Sequence, residues 1–431
     1  MAPLWQWLHG KGESRYIFTH SHSTGKDQVM SGLPLEGIRV VEMGQIVAGP
    51  TAGLLLGDMG ADVIKVEPPD AGQESRMGNR RNGPFYYFNR NKRGIVINLA
   101  SPDGREVAMR LINRADVLIE NMAPGSMDRL GLGYAKVREA NPRLIYCSLK
   151  GYLKGPYASR PLMDEPGQMA SGLAFMTGPA GQPMRAGASV VDMGAATYAV
   201  LGVMGALMQR EKTGKGQLIT GGLFETALFY VGQHMATAQF TGEPSQPMRA
   251  QRHSGKRNGT AIYDLFTCKD DKQVFIGIVS DGQWRRICPI FGMEDLAADP
   301  TYNHNPGRAE NHDILKQRIR DVCMRHTRGE IVAMLDAADV CVAPLHSPSS
   351  VLEEDVHVRS EGRTLPVQIG DIAGRLPPIP YESDAYSFSV RHSAPKEPGR
   401  DSVAILRELG YSDIDAQALA AKGTVRGPGL G

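Results

Sequence analysis

Residues 38–67 read IRVVEMGQIVAGPTAGLLLGDMGADVIKVE, and their pattern of apolar runs and glycines points to the fold class. Ile38–Glu42 is a short apolar run rich in β-branched residues, which predicts a strand. A glycine-containing turn from Gly44 to Pro50 follows, then a helical pattern over Thr51–Met59 and a second apolar run, Asp62–Glu67. Strand, helix and strand in so short a span predict a βαβ unit, and hence a parallel pair. The pattern recurs downstream. Ile95–Leu99 predicts a strand, and Ser101-Pro102 supplies an N-cap with proline at the first helical position of a helix reaching about Asn113. Asp116–Glu120 and Leu144–Leu149 predict two more strands. Four or five strands interleaved with helices make an α/β protein with an open, mostly parallel sheet, whose ligand sites gather at the carboxyl ends of the strands.

Two apolar helices are expected next, about Met193–Arg210 and Leu223–Phe240, joined through the turn Lys212–Gly216. The uncharged run Met193–Met208 is shorter than the ~18–20 residues needed to span a bilayer and reads as a buried helix. From Met248 to Gly259 the chain turns polar and basic, then Ala261–Thr267 and Val274–Val279 flank Lys269–Lys272 as a hairpin. Helices near His312–Arg325 and Gly329–Ala337 complete this part, and the Pro- and Gly-rich stretch from Pro344 to Pro398 reads as extended chain. The expected division is an N-terminal extension over 1–34, a large domain over 35–245, a smaller α+β domain over 246–345, and a return segment over 346–431 whose terminal helices complete the large domain.

The 431 residues carry 48 Lys+Arg against 46 Asp+Glu, a formal charge of +2. Binding nucleic acid or an anionic membrane through bulk charge is therefore excluded as the expected role. Five cysteines lie far apart, with no CxxC pair and no histidine at zinc spacing, which points away from a disulfide framework or a structural metal and toward a reducing compartment, the cytoplasm. Residues 1–29 lack a secretory or Arg-rich transit pattern; the segment is either a disordered tail or sequence ahead of a misassigned start at Met30.

Three segments stand where ligands should bind. Gly44–Pro50 follows the first strand; it is either a phosphate-cradling loop or a plain strand–helix turn, since it does not match G-x-G-x-x-G. Asn89-Arg90-Asn91-Lys92-Arg93 sets three cations beside Phe85, Tyr86, Tyr87 and Phe88, which suits a phosphorylated aromatic ligand, although composition alone favours a solvated basic turn. Glu120-Asn121 with Pro124-Gly125 and Arg129-Leu130-Gly131 follows another strand.

Taken with Leu35–Val40, Ala48-Gly49-Pro50, Gly60–Glu67, Lys150-Gly151-Tyr152 and Lys212–Gln217, these motifs resemble the class III CoA-transferases, a family related to the α-methylacyl-CoA racemases. The resemblance runs from about Leu35 to the C-terminus and is strongest up to residue 220. It implies a Rossmann-like large domain, an interlocked homodimer, a coenzyme A thioester and a carboxylic acid as substrates, and no tightly bound cofactor or metal. Succinyl-CoA as donor and a dicarboxylate as acceptor are the expected pair.

The resemblance assigns the attacking carboxylate to Asp192, in Val190–Gly194, and a second active-site acid to Asp164. Asp192 also stands at the expected start of an apolar helix, so it reads as a plain N-cap as well as a nucleophile. Racemases carry a histidine where this chain has Met163, and a thioether cannot exchange an α-proton; racemization is the rival activity and lacks one of its bases. For coenzyme A the resemblance points to Ala48, Asn91, Lys92, Arg93, Asn121, Arg129 and Lys150. Val47 replaces a glutamine of formyl-CoA transferase, which removes formate–oxalate specificity from expectation. Arg76, Arg80, Arg81 and Arg185 are candidates to grip a substrate carboxylate, by residue type. His253–Gly259 reads as either a mobile loop over the site or a linker.

Overall fold

The structure is a computed structural model and describes residues 32–70, 83–179, 181–247 and 260–430. Six strands run through the first half of the chain: β1 (Arg39–Met43), β2 (Asp62–Glu67), β3 (Lys92–Ile97), β4 (Val117–Glu120), β5 (Ile145–Lys150) and β6 (Leu218–Gly222). All five pairings among them are parallel, in the order β3-β2-β1-β4-β5-β6. The mostly parallel α/β sheet expected from residues 38–67 is what the chain forms.

A parallel sheet is covered on both faces, so its strands are apolar in both directions. Val40, Val63, Val117 and Ile145 face one core with the Ala48–Asp58 and Val190–Thr213 helices. Their neighbours Val41, Ile64, Leu118 and Tyr146 face a second core with the Pro102–Asn113 helix. Register follows from that alternation, with Val40 opposite both Val63 and Val117.

The helix after β1 starts at Ala48, ahead of the expected Thr51. Pro50 is no obstacle in a first turn, where its missing N–H would find no intrahelical acceptor. The turn before it folds back hard: a Cβ on Gly44 would meet the Gly49 Cα at 2.7 Å, and one on Gly49 would meet the Gly44 Cα at 2.6 Å. Both positions therefore need glycine. Ser101 caps the Pro102–Asn113 helix as expected, accepting from the Gly104 N–H.

The large sheet has two strands beyond the sequence expectation. β6 (LITGG) ends in two glycines and lies on the edge of the sheet, so it has neither alternation nor an apolar run to announce it. The far edge is closed by a two-residue strand, Val425–Arg426, antiparallel to β3.

The Val190–Thr213 helix is not buried all round. Ala195, Ala199, Val203 and Ala206 face the core, whereas Leu201 and Met208 are 62% and 69% exposed. Its length and composition would suffice to cross a membrane; its small-residue face packs on the Ala48–Asp58 helix and β5.

Residues 261–344 build a second sheet around a core of their own. β7 (Ile262–Thr267) and β8 (Gln273–Ile278) form the expected hairpin, and β9 (Cys341–Pro344) adds to β8. Trp284, Ile287, Ile319 and Leu335 fill the core beside them. The return stretch is more structured than expected: the helices Pro348–Glu354 and Val356–Arg359 precede a hairpin of β10 (Leu365–Ile369) and β11 (Ile372–Leu376). Ile405, Leu406 and Ala416 of the terminal helices then enter the second core of the large sheet, beside β12 (Val425–Arg426).

Candidate active site

Strand order reverses between β1 and β4, and an open sheet leaves a crevice at such a point. A cleft of about 420 Å³ opens there, at the carboxyl ends of β1, β4 and β5. Val47, Ala48, Asn121, Lys150, Met163, Asp164 and Asp192 all line it. These seven candidates come from five separate segments, and the sheet brings them together.

The two aspartates divide the work at one helix end. The helix begins at Val190 with Ser189 as N-cap, so Asp192 is its third residue and not the cap expected from the sequence. Its free N–H groups are met from elsewhere: one Asp164 carboxylate oxygen accepts from the N–H of Val191 at 2.8 Å and from that of Asp192 at 2.9 Å. The other oxygen accepts from Gln168 Nε2 at 2.5 Å, and Gln168 Oε1 in turn accepts from the Ala186 N–H. Asp164 is buried and capping, with both oxygens occupied. Asp192 is left free of that duty and faces the cleft. Burial, then the charges of Asp164 and Glu165, push its carboxyl up to about 7. Above about pH 7 such a group exists as a weakly solvated carboxylate, able to attack an electrophilic carbonyl.

The opposite wall is held by a second buried acid. Glu120 ends β4 opposite Ser148 of β5; it accepts from Ser148 Oγ at 2.5 Å and from Lys150 Nζ at 2.8 Å. Lys150 also donates to the Met122 carbonyl, which fixes its ammonium at the floor of the cleft. Asn121 clamps the loop after β1 with two bonds, accepting from the Gln45 N–H and donating to the Gln45 carbonyl. Between that clamp and the helix start, Ile46 is held at φ 62°, a left-handed conformation that costs a β-branched residue on the order of 1–3 kcal/mol.

Other candidates fall outside this group. Arg129 is exposed and donates to Ser126 Oγ. Arg185 pairs with Glu165, at 3.4 Å, beside the cleft. Arg76, Arg80, Arg81 and the His253–Gly259 segment lie outside the described residues.

Of Asn91, Lys92 and Arg93, expected to face coenzyme A, the side chains of Asn91 and Lys92 are buried within the fold, while that of Arg93 is partly exposed at its surface. Lys92 is fully buried with Nζ 2.5 Å from Glu42 Oε2, while Lys65 takes Oε1 at 2.8 Å. Burial alone would raise the Glu42 carboxyl, but the two lysines hold it below its ordinary value. Asn91 donates to Asp58 and to the Ser389 carbonyl and accepts from the N–H groups of Arg391 and His392, pinning the return segment to the first helix. Arg93 is engaged by Asp62 and Glu408. Charge and the resemblance suggested ligand contact; Asn91 and Lys92 instead pair groups that would otherwise be stranded inside the fold, and Arg93 bridges two acids at its surface.

A second cavity of about 490 Å³ lies beside the first, over the carboxyl ends of β1, β2 and β3, lined by Lys65, Glu67, Pro68 and Asn98. Gln45 and Met122 line both. Glu120, Gln168 and Glu165 had no assigned role in the sequence reading. The spacing of Gln168 from Asp164, four residues along a helix, was its one local signal; the Glu120–Ser148 pairing is a cross-strand contact that spacing does not display.

Residues 35–402 match CoA-transferase family III. A succinate–glutarate CoA-transferase of Agrobacterium fabrum is 32% identical over 78% of this chain and 86% of its own length. A succinyl-CoA:glutarate CoA-transferase of Homo sapiens is 29% identical over 96% of this chain and 94% of its own. Among solved structures, a CAIB/BAIF family protein from Brucella suis superposes with a TM-score of 0.78, at 28% identity, over 88% of this chain and all of that one. With the family matching most of its length, and with a carboxylate-bearing cleft at the switch point of its sheet, this chain belongs to CoA-transferase family III and is a CoA-transferase.

Proposed function

We propose that the enzyme moves coenzyme A from succinyl-CoA to a second dicarboxylic acid, with Asp192 as the covalent catalyst. The observation that carries this reading is the division of roles at the helix end: Asp164 caps the backbone, and Asp192 is left facing the cleft. The relatives named as succinate–glutarate and succinyl-CoA:glutarate CoA-transferases support the acid pair.

The chemistry balances without any other cofactor. An Asp192 carboxylate oxygen attacks the thioester carbonyl; the C–S bond breaks, coenzyme A leaves as thiolate, and an aspartyl–succinyl anhydride remains. The thiolate then attacks the Asp192 carbonyl carbon and releases succinate, leaving an aspartyl-CoA thioester. The acceptor carboxylate attacks that thioester, expels the thiolate and forms a new anhydride. A final attack of thiolate on the acceptor's acyl carbon gives the product thioester and restores Asp192. Lys150 and the backbone N–H groups around Ala48 are suited to hold the anionic oxygens of these steps. The neighbouring cavity would take the nucleotide end of coenzyme A, with Arg129 nearby.

A second copy of the chain would cover the exposed apolar face carrying Leu201, Met208, Phe229 and Phe240, which supports a homodimer. The buried thiols of Cys147, Cys268, Cys288 and Cys323 are compatible with a reducing, cytoplasmic setting.

The test is mass spectrometry of the protein mixed with succinyl-CoA and glutarate in D2O, beside an Asp192→Ala control. The reading requires glutaryl-CoA from the wild type alone and, without acceptor, a covalent adduct on the peptide containing Asp192. Transfer that survives in the control would refute it; so would deuterium entering the α-carbon of a 2-methylacyl-CoA with no new thioester formed.

A further inference from the structure

The cleft contains a cation that the mechanism does not use. Of the basic side chains at its wall, Lys150 is tied to Glu120 and the Met122 carbonyl, and Arg185, beside it, is engaged by Glu165. Arg160 also lines the cleft, and among the described residues its guanidinium has no carboxylate partner. It is not loose. Its Cζ lies 4.0 Å from the centroid of the Tyr157 ring, and its own N–H donates to the Tyr157 carbonyl at 2.8 Å, so one tight turn carries both groups. Tyr157 packs edge-on against Tyr152 at 5.5 Å, and Tyr152 lies 5.2 Å from Phe224, at the start of the helix after β6. An aromatic ladder thus runs from the scaffold to the guanidinium.

Stacking occupies the face of a guanidinium and leaves its N–H edge open, in the plane that matches a carboxylate with two parallel hydrogen bonds. We infer that Arg160, propped on Tyr157, is the substrate-binding residue that grips the remote carboxylate of the acid whose near carboxylate reacts at Asp192. The inference rests on the transferase reading and deepens it, because it says why a dicarboxylic acid would be preferred over a monocarboxylic acid of equal length.

The experiment compares glutarate with valerate as acceptors, each with saturating succinyl-CoA, for the wild type, Arg160→Gln and Arg160→Lys. The donor is common to both acceptors, so any effect on it cancels in the ratio of kcat/KM for glutarate to that for valerate. Arg160→Gln should lower this ratio about tenfold or more, the size of one charge-assisted hydrogen bond, through a raised KM for glutarate. Arg160→Lys should recover part of the loss, since a point charge remains without the fork. Valeryl-CoA still formed by the variant shows that it is folded and active. A ratio unaltered in Arg160→Gln overturns the inference while leaving the transferase reading intact. Failure of the wild type to form either product thioester overturns that reading, and the inference with it.

Discussion

Replacing Asp192 by asparagine should stabilise the protein, and by an amount that depends on pH. The carboxyl stands at about 7 in the fold against an ordinary 3.8, chiefly because burial disfavours its charge. Three units at about 1.36 kcal/mol each set a ceiling of about 4 kcal/mol, and partial exposure of the side chain brings the expected cost to roughly 2–4 kcal/mol. Between the two pKa values the folded protein holds a proton that the unfolded chain releases. Stability is therefore lost as pH rises through this window, and the whole cost is present above about pH 7. Asparagine carries no such charge at any pH. Urea denaturation of both proteins at about pH 8 should show the variant more stable by that margin, shrinking toward zero near about pH 4. A pH-independent gap, or a wild type more stable than the variant at about pH 8, would refute the argument that the cleft holds a strained carboxylate. The outcome also bears on function, since active sites commonly give up stability to hold reactive groups in unfavourable surroundings.

The same group should govern rate: kcat/KM should rise with pH through an acid limb near 7, and Asp164→Asn should move that limb downward by removing the negative charge beside Asp192 while keeping an oxygen to accept from the helix N–H groups. An unmoved limb in that variant would count against Asp164 as the perturbing charge. In the sheet, Glu42→Gln leaves Lys65 and Lys92 buried without their shared carboxylate and should cost about 3–5 kcal/mol by urea denaturation; a loss below about 1 kcal/mol would show that the cluster carries little net energy. Gly49→Ala places a methyl 2.6 Å from the Gly44 Cα and 3.0 Å from Asn121 Oδ1. It should cost about 1–3 kcal/mol and lower transfer activity by prying the Asn121 clamp off Gln45; wild-type melting and turnover would contradict that packing.

How far the site was legible depended on whether its signals were local. Asp192 and Asp164 could be singled out by motif, yet which of them caps the helix could not. That assignment depends on a carboxylate reaching backbone N–H groups twenty-seven and twenty-eight positions away along the chain. Lys92 and Arg93 read as ligand-facing cations because sequence reports charge without reporting direction. Their partners Glu42, Asp62 and Glu408 come from other strands and from the C-terminal region. Arg160 carried no motif, and its ladder of rings joins two stretches of chain that only folding brings together.

The strand–helix–strand repeat from Ile38 onward, the apolar runs of strands buried on both faces, the Ser101-Pro102 helix start and the hairpin at Lys269–Lys272 are encoded in neighbouring residues and could be read from them directly. The strand order, the reversal between β1 and β4, the inward turn of Lys92 and the gathering of seven side chains around one cleft were decided only by tertiary structure. The physical reason is range: backbone preference and hydrophobic period act over a few residues, whereas the pairing of a buried charge and the convergence of a site are set by contacts across the whole chain.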